Sequence, residues 1–203
     1  VGQYGAAAAS FARTLDILDR TGSRWSRADC LVYAASNTAL AGDVEGGIGQ
    51  AREALGIAIE LGARYVEANA RVALATTLLA RGAERDLGAA EDEAAHAVQV
   101  ARAAELVVPE IVALSRQAQA ASRRGGVERA VVLSRRAVEL LEEQRYLEGS
   151  EEAIFASHAD VLASAGDPAA ETFRERARLG LERKLARITD PEWRRSFALE
   201  ITL

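Results

Sequence analysis

The side chains best suited to covalent chemistry are Ser157, His158 and Asp160, which supply a hydroxyl, an imidazole and a carboxylate close together in the chain. A catalytic relay requires the imidazole to contact both of the other groups. On a helix, residues one and two positions apart point in different directions and do not face each other. The spacing therefore predicts three independent side chains, and we expect the chain not to be an enzyme.

Metal binding is a second candidate chemistry, because His96 follows Asp92 and Glu93 in a helical pattern. A helical metal site places two histidines, or a histidine and a glutamate, three or four residues apart on one face. His96 forms only weak pairs of this kind, and Cys30 is the only cysteine, so a thiolate cluster is excluded. We predict a solvated face at His96, a buried structural thiol at Cys30, and no metal or other cofactor.

Phosphate binding is suggested only by a glycine-rich stretch at Gly42, Gly46, Gly47 and Gly49. A phosphate loop needs a preceding strand and a following Lys-Ser or Lys-Thr pair, and the sequence has neither. Our interpretation is close helix packing at Gly46, Gly47 and Gly49.

A basic cluster near the end of the chain is interleaved with acidic residues, which is typical of a solvated, ion-paired helix face. A docking patch for an acidic partner, or for another part of the parent protein, is the alternative interpretation. The basic members are Arg174, Arg176, Arg178, Arg183, Lys184, Arg187, Arg194 and Arg195.

The composition and net charge limit the kind of protein that carries these side chains. The chain has 203 residues, 49% of them apolar and 27% charged, with a net charge of -5. The acidic balance argues against a nucleic-acid partner. No apolar run is long enough to span a bilayer, and no signal peptide is recognisable, so we expect a cytoplasmic protein. Methionine is absent even at position 1, which leads us to expect a segment of a longer protein.

Helix is the only secondary structure that the sequence favours, since Ala, Leu, Arg and Glu dominate and only three prolines occur. Apolar residues recur three and four positions apart, as in an amphipathic helix. Glycines recur about every 40 residues, at Gly2, Gly42, Gly82, Gly125 and Gly166. A period of this length indicates a solenoid of helix pairs, in which each glycine ends the first helix of a pair.

Small residues repeat in the same register. Alanines stand seven residues before the last four glycines and about twelve after them, and we expect Ala75, Ala97 and Ala118 to be buried where helices cross. One spacing is 43 residues, which places three extra residues within Ala83 to Leu87, in a turn. The alanines are Ala35, Ala75, Ala118 and Ala159 before the glycines, and Ala54, Ala97, Ala137 and Ala177 after them.

This two-helix unit resembles the tetratricopeptide repeat (TPR), with the best fit at Gly2-Gln3-Tyr4, Ala7 and Phe11. The resemblance implies a right-handed α-solenoid of stacked antiparallel helix pairs, about ten helices in all. The period is longer than the family's usual one, as in the degenerate repeats of bacterial regulators. HEAT-like repeats have the same period and remain the structural alternative.

The segment from Arg187 to Phe197 looks like the one that closes such arrays at the C-terminal end of large bacterial signalling and transcriptional regulator ATPases. We therefore assign residues 1–189 to the repeat array and 190–203 to a C-terminal capping helix. Asp190 suits the cap of that helix. Trp193 and Phe197 should cover the last repeat, so that Trp193→Ala costs roughly 3 to 5 kcal/mol.

The first helices of a TPR-like array line its inner surface, and the resemblance implies that partners bind there. The family's clamp for a C-terminal carboxylate needs several Lys, Arg and Asn side chains, and only Asn69 and Arg123 qualify, which disfavours binding of peptide tails. The inner-face positions carried over are Asp29, Val32, Ser36, Asn69, Val72, Thr76, Ser115, Gln119, Arg123, Ala156 and Asp160.

Two functions follow from this resemblance. The first is a non-catalytic protein-protein interaction scaffold within a bacterial signal-transduction or transcription-regulator protein, with a protein, a peptide or another domain of the parent as partner. The alternative is a sensor that binds a metabolite between repeats. The first unit lacks its first helix, which leaves Phe11, Leu15 and Leu18 uncovered, so any self-association should use the N-terminal helix.

Overall fold

A computed structural model describes residues 2–144 and 151–195 and confirms the all-α solenoid. The described residues contain helices and no strands, and a further helical segment begins at Pro191 and is described as far as Arg195. None of the helices in these ranges is long and apolar enough to cross a bilayer. The helix bounds are α1 Gly2–Thr21, α2 Arg24–Leu40, α3 Val44–Leu61, α4 Arg64–Arg81, α5 Glu84–Ala103, α6 Val107–Arg123, α7 Val127–Glu143, α8 Glu151–Ser164 and α9 Ala170–Arg187.

The helices stack as an open array. Each helix packs against the next in the chain, and α2, α4, α6 and α8 also contact one another in that order. In the described ranges the backbones of α3, α5, α7 and α9 do not pack closely against one another, but side-chain ion pairs join α5 to α7 (Glu91 with Arg129) and α7 to α9 (Glu142 with Arg176). Helix α1 does not contact α8 or α9. The first helices of the pairs therefore form a continuous inner row, and the second helices lie outside it with looser packing between them.

Left-handed backbone ends most of these helices. Gly42, Gly82, Gly125 and Gly166 follow the first helices with φ values of 102°, 70°, 87° and 70°. Side chains with a Cβ are strained at such angles, which explains why glycine recurs there. The extra residues of the long repeat do not enlarge a turn as expected, because α5 starts at Glu84 and the insertion extends the start of that helix.

The seam alanines are buried as predicted. Ala75, Ala97 and Ala118 expose none of their surface. Gly47 also confirms close packing, since a Cβ there would lie 2.6 Å from the Ala35 carbonyl oxygen. The same interpretation is wrong for Gly49, which has open space beside it, and for Gly46, whose only close neighbour is the Asp43 side chain that caps α3.

The two ends of the array differ from the expected arrangement. At the N-terminal end Phe11, Leu15 and Leu18 are half-buried, because α1 turns them towards α2, and Leu15 packs on the core. Ile17 is 52% exposed on the same helix. The apolar stripe of α1 is therefore only partly uncovered.

At the C-terminal end Asp190 caps the last segment, since its Oδ1 accepts hydrogen bonds from the backbone N–H groups of Glu192 and Trp193. Trp193 is nevertheless 62% exposed, so the prediction that it covers the last repeat is wrong. The hydrogen bonds to Asp190 define where the helical segment starts, but they do not determine its direction relative to α9. A sequence signal for the cap therefore does not predict the burial of Trp193. Phe197 lies outside the described residues.

Candidate binding face

The predicted inner-face residues lie on the inner row, at intervals of three and four residues on each helix. Helix α2 carries Asp29, Val32 and Ser36, and the equivalent positions recur along α4, α6 and α8. Val32 and Ser115 are buried, at 7% and 1% exposure, and add little accessible surface. Asp29, Ser36, Asn69, Val72, Thr76 and Gln119 are half-buried, and Arg123, Ala156 and Asp160 are exposed.

Two aromatic residues extend this face and were missed from the sequence. Trp25 and Tyr65 stand one helical turn before Asp29 and Asn69 on neighbouring helices, and are 49% and 42% exposed. They are 40 residues apart, so the repeat period itself marks them as equivalent. Exposed aromatic side chains supply large contact areas in protein interfaces. The N-terminal half of the face therefore has an aromatic edge.

The centre of the face is a polar cluster between α4 and α6. Arg116 donates from Nε to Thr76 Oγ1 at 3.1 Å and from Nη1 to Gln119 Oε1 at 3.0 Å. Arg123 donates from Nη1 to the Leu79 carbonyl oxygen at 2.9 Å, at the last turn of α4. Burial, and then the nearby charge of Arg123, lower the pKa of Arg116. Two guanidinium groups thus share one polar surface.

Asp29 is a further charged position on the face. Its Oδ1 is buried and has no hydrogen-bond partner, and burial raises the pKa of the carboxyl group. The neighbouring Cys30 is half-buried, and its thiol pKa is raised by burial and then by Asp29, against a smaller opposing effect of Arg27. The predicted burial of Cys30 is therefore only partial. The raised pKa disfavours the reactive thiolate, as in a structural thiol.

The candidate catalytic residues are not brought together. Ser157 and His158 are buried, whereas Asp160 is exposed. His158 Nδ1 lies 2.8 Å from Ser134 Oγ on α7, and its ring packs edge-on against Phe173 on α9. Burial is the main cause that lowers the pKa of His158. The imidazole joins three helices in a packed core.

The structure also shows the surroundings of His96, the candidate metal ligand, and of the basic cluster on α9. His96 is exposed, and the described residues contain no group of three or more His, Cys, Asp or Glu side chains able to hold a metal ion. Four of the basic residues of α9 form ion pairs with described residues: Arg174 with Glu171 at 2.8 Å, Arg176 with Glu142 at 2.7 Å, Arg178 with Glu175 and Glu182, and Lys184 with Glu152. These pairs fit the solvated, ion-paired face predicted for the cluster.

Comparisons with known proteins identify the fold. No protein-family model and no curated protein matches the sequence. Two solved structures of a Podosopora anserina protein match: it is described as a "putative kinesin light chain" with nearly identical TPR-like repeats, and one of the two is a variant. They have TM-scores of 0.63 and 0.61 with this chain, at 17% sequence identity, and each match covers 90% of this chain and 89% of the other.

The chain therefore has the fold of a TPR-like helical repeat array. At 17% identity the similarity shows the fold alone. What the chain binds has to be argued from its own surface.

Proposed function

We propose that this chain is a non-catalytic protein-protein interaction scaffold whose partner binds along the inner row of helices. The observation that carries the proposal is the exposure of Trp25, Tyr65 and Arg123 at equivalent faces of three neighbouring helices that contact one another. A long surface of this kind suits a polypeptide. The net charge of -5 supports a protein rather than a nucleic acid as partner.

The experiment is a pulldown with the immobilised chain, followed by calorimetry with each purified candidate partner. The double variant Trp25→Ala, Tyr65→Ala should weaken binding at least tenfold, because aromatic side chains carry much of the energy of interfaces. The matched control is Ile59→Ala, Leu61→Ala, which removes exposed apolar side chains from the outer helix α3. Equal losses in both variants would contradict binding at the inner row.

We further propose that the array is a regulatory part of a larger bacterial signal-transduction or transcription-regulator protein in the cytoplasm. The similarity of the segment from Arg187 to those that close such arrays supports this context. Another domain of the parent protein is then the first partner to test. Adding the remaining domains to the pulldown should displace external partners, and absence of any effect would argue against an internal partner.

A metabolite sensor is the second candidate, and one cavity favours it. A cavity of about 240 Å³ lies between α7, α8 and α9, where His158, Phe173, Arg135 and Asp167 contribute to its lining. Ligand pockets usually enclose roughly 300 to 1,000 Å³, so this volume would hold only a small metabolite. A metabolite that raises the melting temperature of the chain, but not of a His158→Phe variant, would favour the sensor over the scaffold.

A further inference from the structure

Arg116 differs from the other half-buried arginines of the described residues, because they all pair with carboxylates. Arg27 contacts Glu53 at 2.7 Å, Arg71 contacts Glu93 at 2.8 Å, and Arg81 contacts Asp86 at 2.6 Å. Arg176 contacts Glu142 at 2.7 Å. Arg116 has no carboxylate within 4.0 Å among the described residues.

The guanidinium of Arg116 is held in place without being neutralised. Thr76 Oγ1 and Gln119 Oε1 accept hydrogen bonds from its Nε and Nη1. Its Nη2 makes no hydrogen bond to the described residues. A charge that is partly removed from water without an opposite charge is unfavourable, and an incoming anion would relieve that cost. Thr76 and Gln119 therefore fix the position of a guanidinium whose charge no carboxylate of the described residues balances.

Arg123 places a second cation on the same surface. It follows Arg116 by seven residues, which is about two turns of α6 and a rise of about 10.5 Å on the same face. Its Nη1 donates to the Leu79 carbonyl oxygen, and it forms no ion pair with the described residues. Asp160, the exposed inner-face carboxylate of the neighbouring helix α8, does not come within 4.0 Å of it. The two guanidinium groups repel each other, so both favour an anionic ligand.

We propose that Arg116 and Arg123 bind two carboxylate side chains of an acidic segment in a partner protein. This inference rests on the proposed scaffold function and specifies the chemistry of its partner. An extended chain advances about 3.1 Å per residue in the polyproline II conformation and returns to the same side every third residue. Acidic residues three positions apart would therefore lie about 9 Å apart and match the two arginines.

Two carboxylates match these two cations one for one. A phosphate group carries a charge of about -1.5 to -2 on one site, whereas Arg116 and Arg123 stand about 10.5 Å apart along α6 and are each tied to α4 by a hydrogen bond, which disfavours convergence on one phosphate. The hydrogen bonds to Thr76 and Gln119 engage one N–H of Nε and one of Nη1, and the remaining N–H groups of Arg116 can donate to a carboxylate.

The test is binding of a labelled ten-residue peptide to the full chain, measured by fluorescence anisotropy. The peptide carries Glu-Ala-Ala-Glu in an alanine and serine background and has an acetylated start and an amidated end, which removes terminal charges. We expect it to bind at least tenfold more tightly than the same peptide with Gln-Ala-Ala-Gln, and more tightly than one with adjacent glutamates. Affinity should fall as salt is added.

Variants of the chain separate a binding role from a structural one. Arg116→Gln and Arg123→Gln should each weaken binding at least fivefold, while Arg116→Gln leaves the melting temperature unchanged or higher, because it removes an unpaired charge. Arg52→Gln, on the outer helix α3, removes the same charge from an exposed position and should change affinity less than twofold. Equal losses in Arg116→Gln and Arg52→Gln would overturn the site, since only net charge would matter.

The remaining outcomes are also decisive. A phosphoserine peptide that binds more tightly than the glutamate peptide would overturn the carboxylate assignment. Failure of the acidic peptide, while a purified partner still requires Trp25 and Tyr65, would overturn this inference and leave the scaffold function standing. Absence of inner-row binding in both experiments would overturn both.

Discussion

At the residue scale, the array uses arginine in two ways. Arg81 joins three helices, since it donates from Nε and Nη2 to Asp86 at 2.6 Å and from Nη1 to Glu45 at 2.8 Å. Asp86 is buried at the start of α5, where a negative charge also suits the positive end of a helix. Arg81 is therefore a structural residue, and Arg116 is left with its charge available for a ligand.

Asp86 leads to a prediction about pH. The Arg81 guanidinium holds the pKa of Asp86 below its ordinary value of 3.8. A lowered pKa in the folded state stabilises the protein above the unfolded-state pKa, and this contribution is lost as the pH falls through the lowered value. Asp86→Asn should therefore lower the urea midpoint at pH 7, and the difference from the parent chain should shrink below pH 3.8.

The control for this variant is Asp16→Asn, which removes the exposed partner of Arg20 on α1. Exposed ion pairs contribute little to stability, so its urea midpoint should stay near that of the parent chain at each pH. A difference between Asp86→Asn and the parent that is independent of pH would show that the carboxylate charge is not responsible.

At the element scale, helix seams and turns define the array. The seams depend on alanine where the inner helices cross their neighbours, and Ala118 on α6 is fully buried. The turns before α2 and α4 use Gly22 and Gly62 with positive φ, but the turn before α6 uses Glu105, with φ of 55°. The seam and the turn each allow one test of local energetics.

Ala118→Leu tests the seam. Three additional methyl or methylene carbons cannot fit at a fully buried helix crossing, so the free energy of unfolding should fall by about 1 to 3 kcal/mol. Urea denaturation followed by circular dichroism measures this. Ala103→Leu, at an exposed position on α5, is the matched control and should have little effect. An unchanged midpoint for Ala118→Leu would mean that the crossing has free space.

Glu105→Gly tests the turn. A side chain with a Cβ costs about 1 to 2 kcal/mol in left-handed backbone, and glycine avoids this cost although its unfolded state is more flexible. We expect the free energy of unfolding to rise by about 0.5 to 1 kcal/mol. Glu105→Ala keeps the Cβ and removes the charge, so it should give no increase. A gain in both variants would assign the effect to the carboxylate instead.

The repeat period could be predicted from the sequence because it depends on local requirements. Glycine is needed where the backbone has a positive φ at a helix end, and alanine is needed where two helices approach closely. Gly22 and Gly62 are 40 residues apart, and this signal was available, but Glu105 interrupts the series. Arg116 could not be recognised from the sequence, because its distinction is the lack of a neighbouring carboxylate, which depends on three-dimensional packing. Trp193 was misplaced for the same reason, since its exposure depends on the direction of the last segment.

At the scale of the whole molecule, each helix contacts only near neighbours in the chain. Stability in such an array is approximately a sum over units and the interfaces between them, and the terminal units lack one neighbour. At the N-terminal end α1 contacts α2 and leaves Ile17 exposed beside half-buried Phe11 and Leu18. This end therefore presents an exposed apolar side chain beside half-buried ones.

We expect any self-association of the chain to use this N-terminal helix. Any rise with protein concentration in the average mass measured by light scattering should be abolished by Ile17→Glu, which places a charge in the contact. Ile59→Glu, on α3, introduces the same charge at an equally exposed isoleucine and should leave the rise intact. Equal effects of the two variants would contradict this contact.

The separation of the outer helices has a mechanical consequence. The backbones of α2, α4, α6 and α8 pack against one another, whereas the outer helices are joined at α5–α7 and α7–α9 by the ion pairs of Glu91 with Arg129 and Glu142 with Arg176. We therefore expect the array to bend about the inner row, with the outer helices changing their spacing more than the inner ones do. Such bending should be distributed over all the repeat units and not concentrated at one joint. A partner segment bound to neighbouring inner helices would hinder their relative movement. A force applied to the two ends of the array should therefore change the helix spacing least at the bound units.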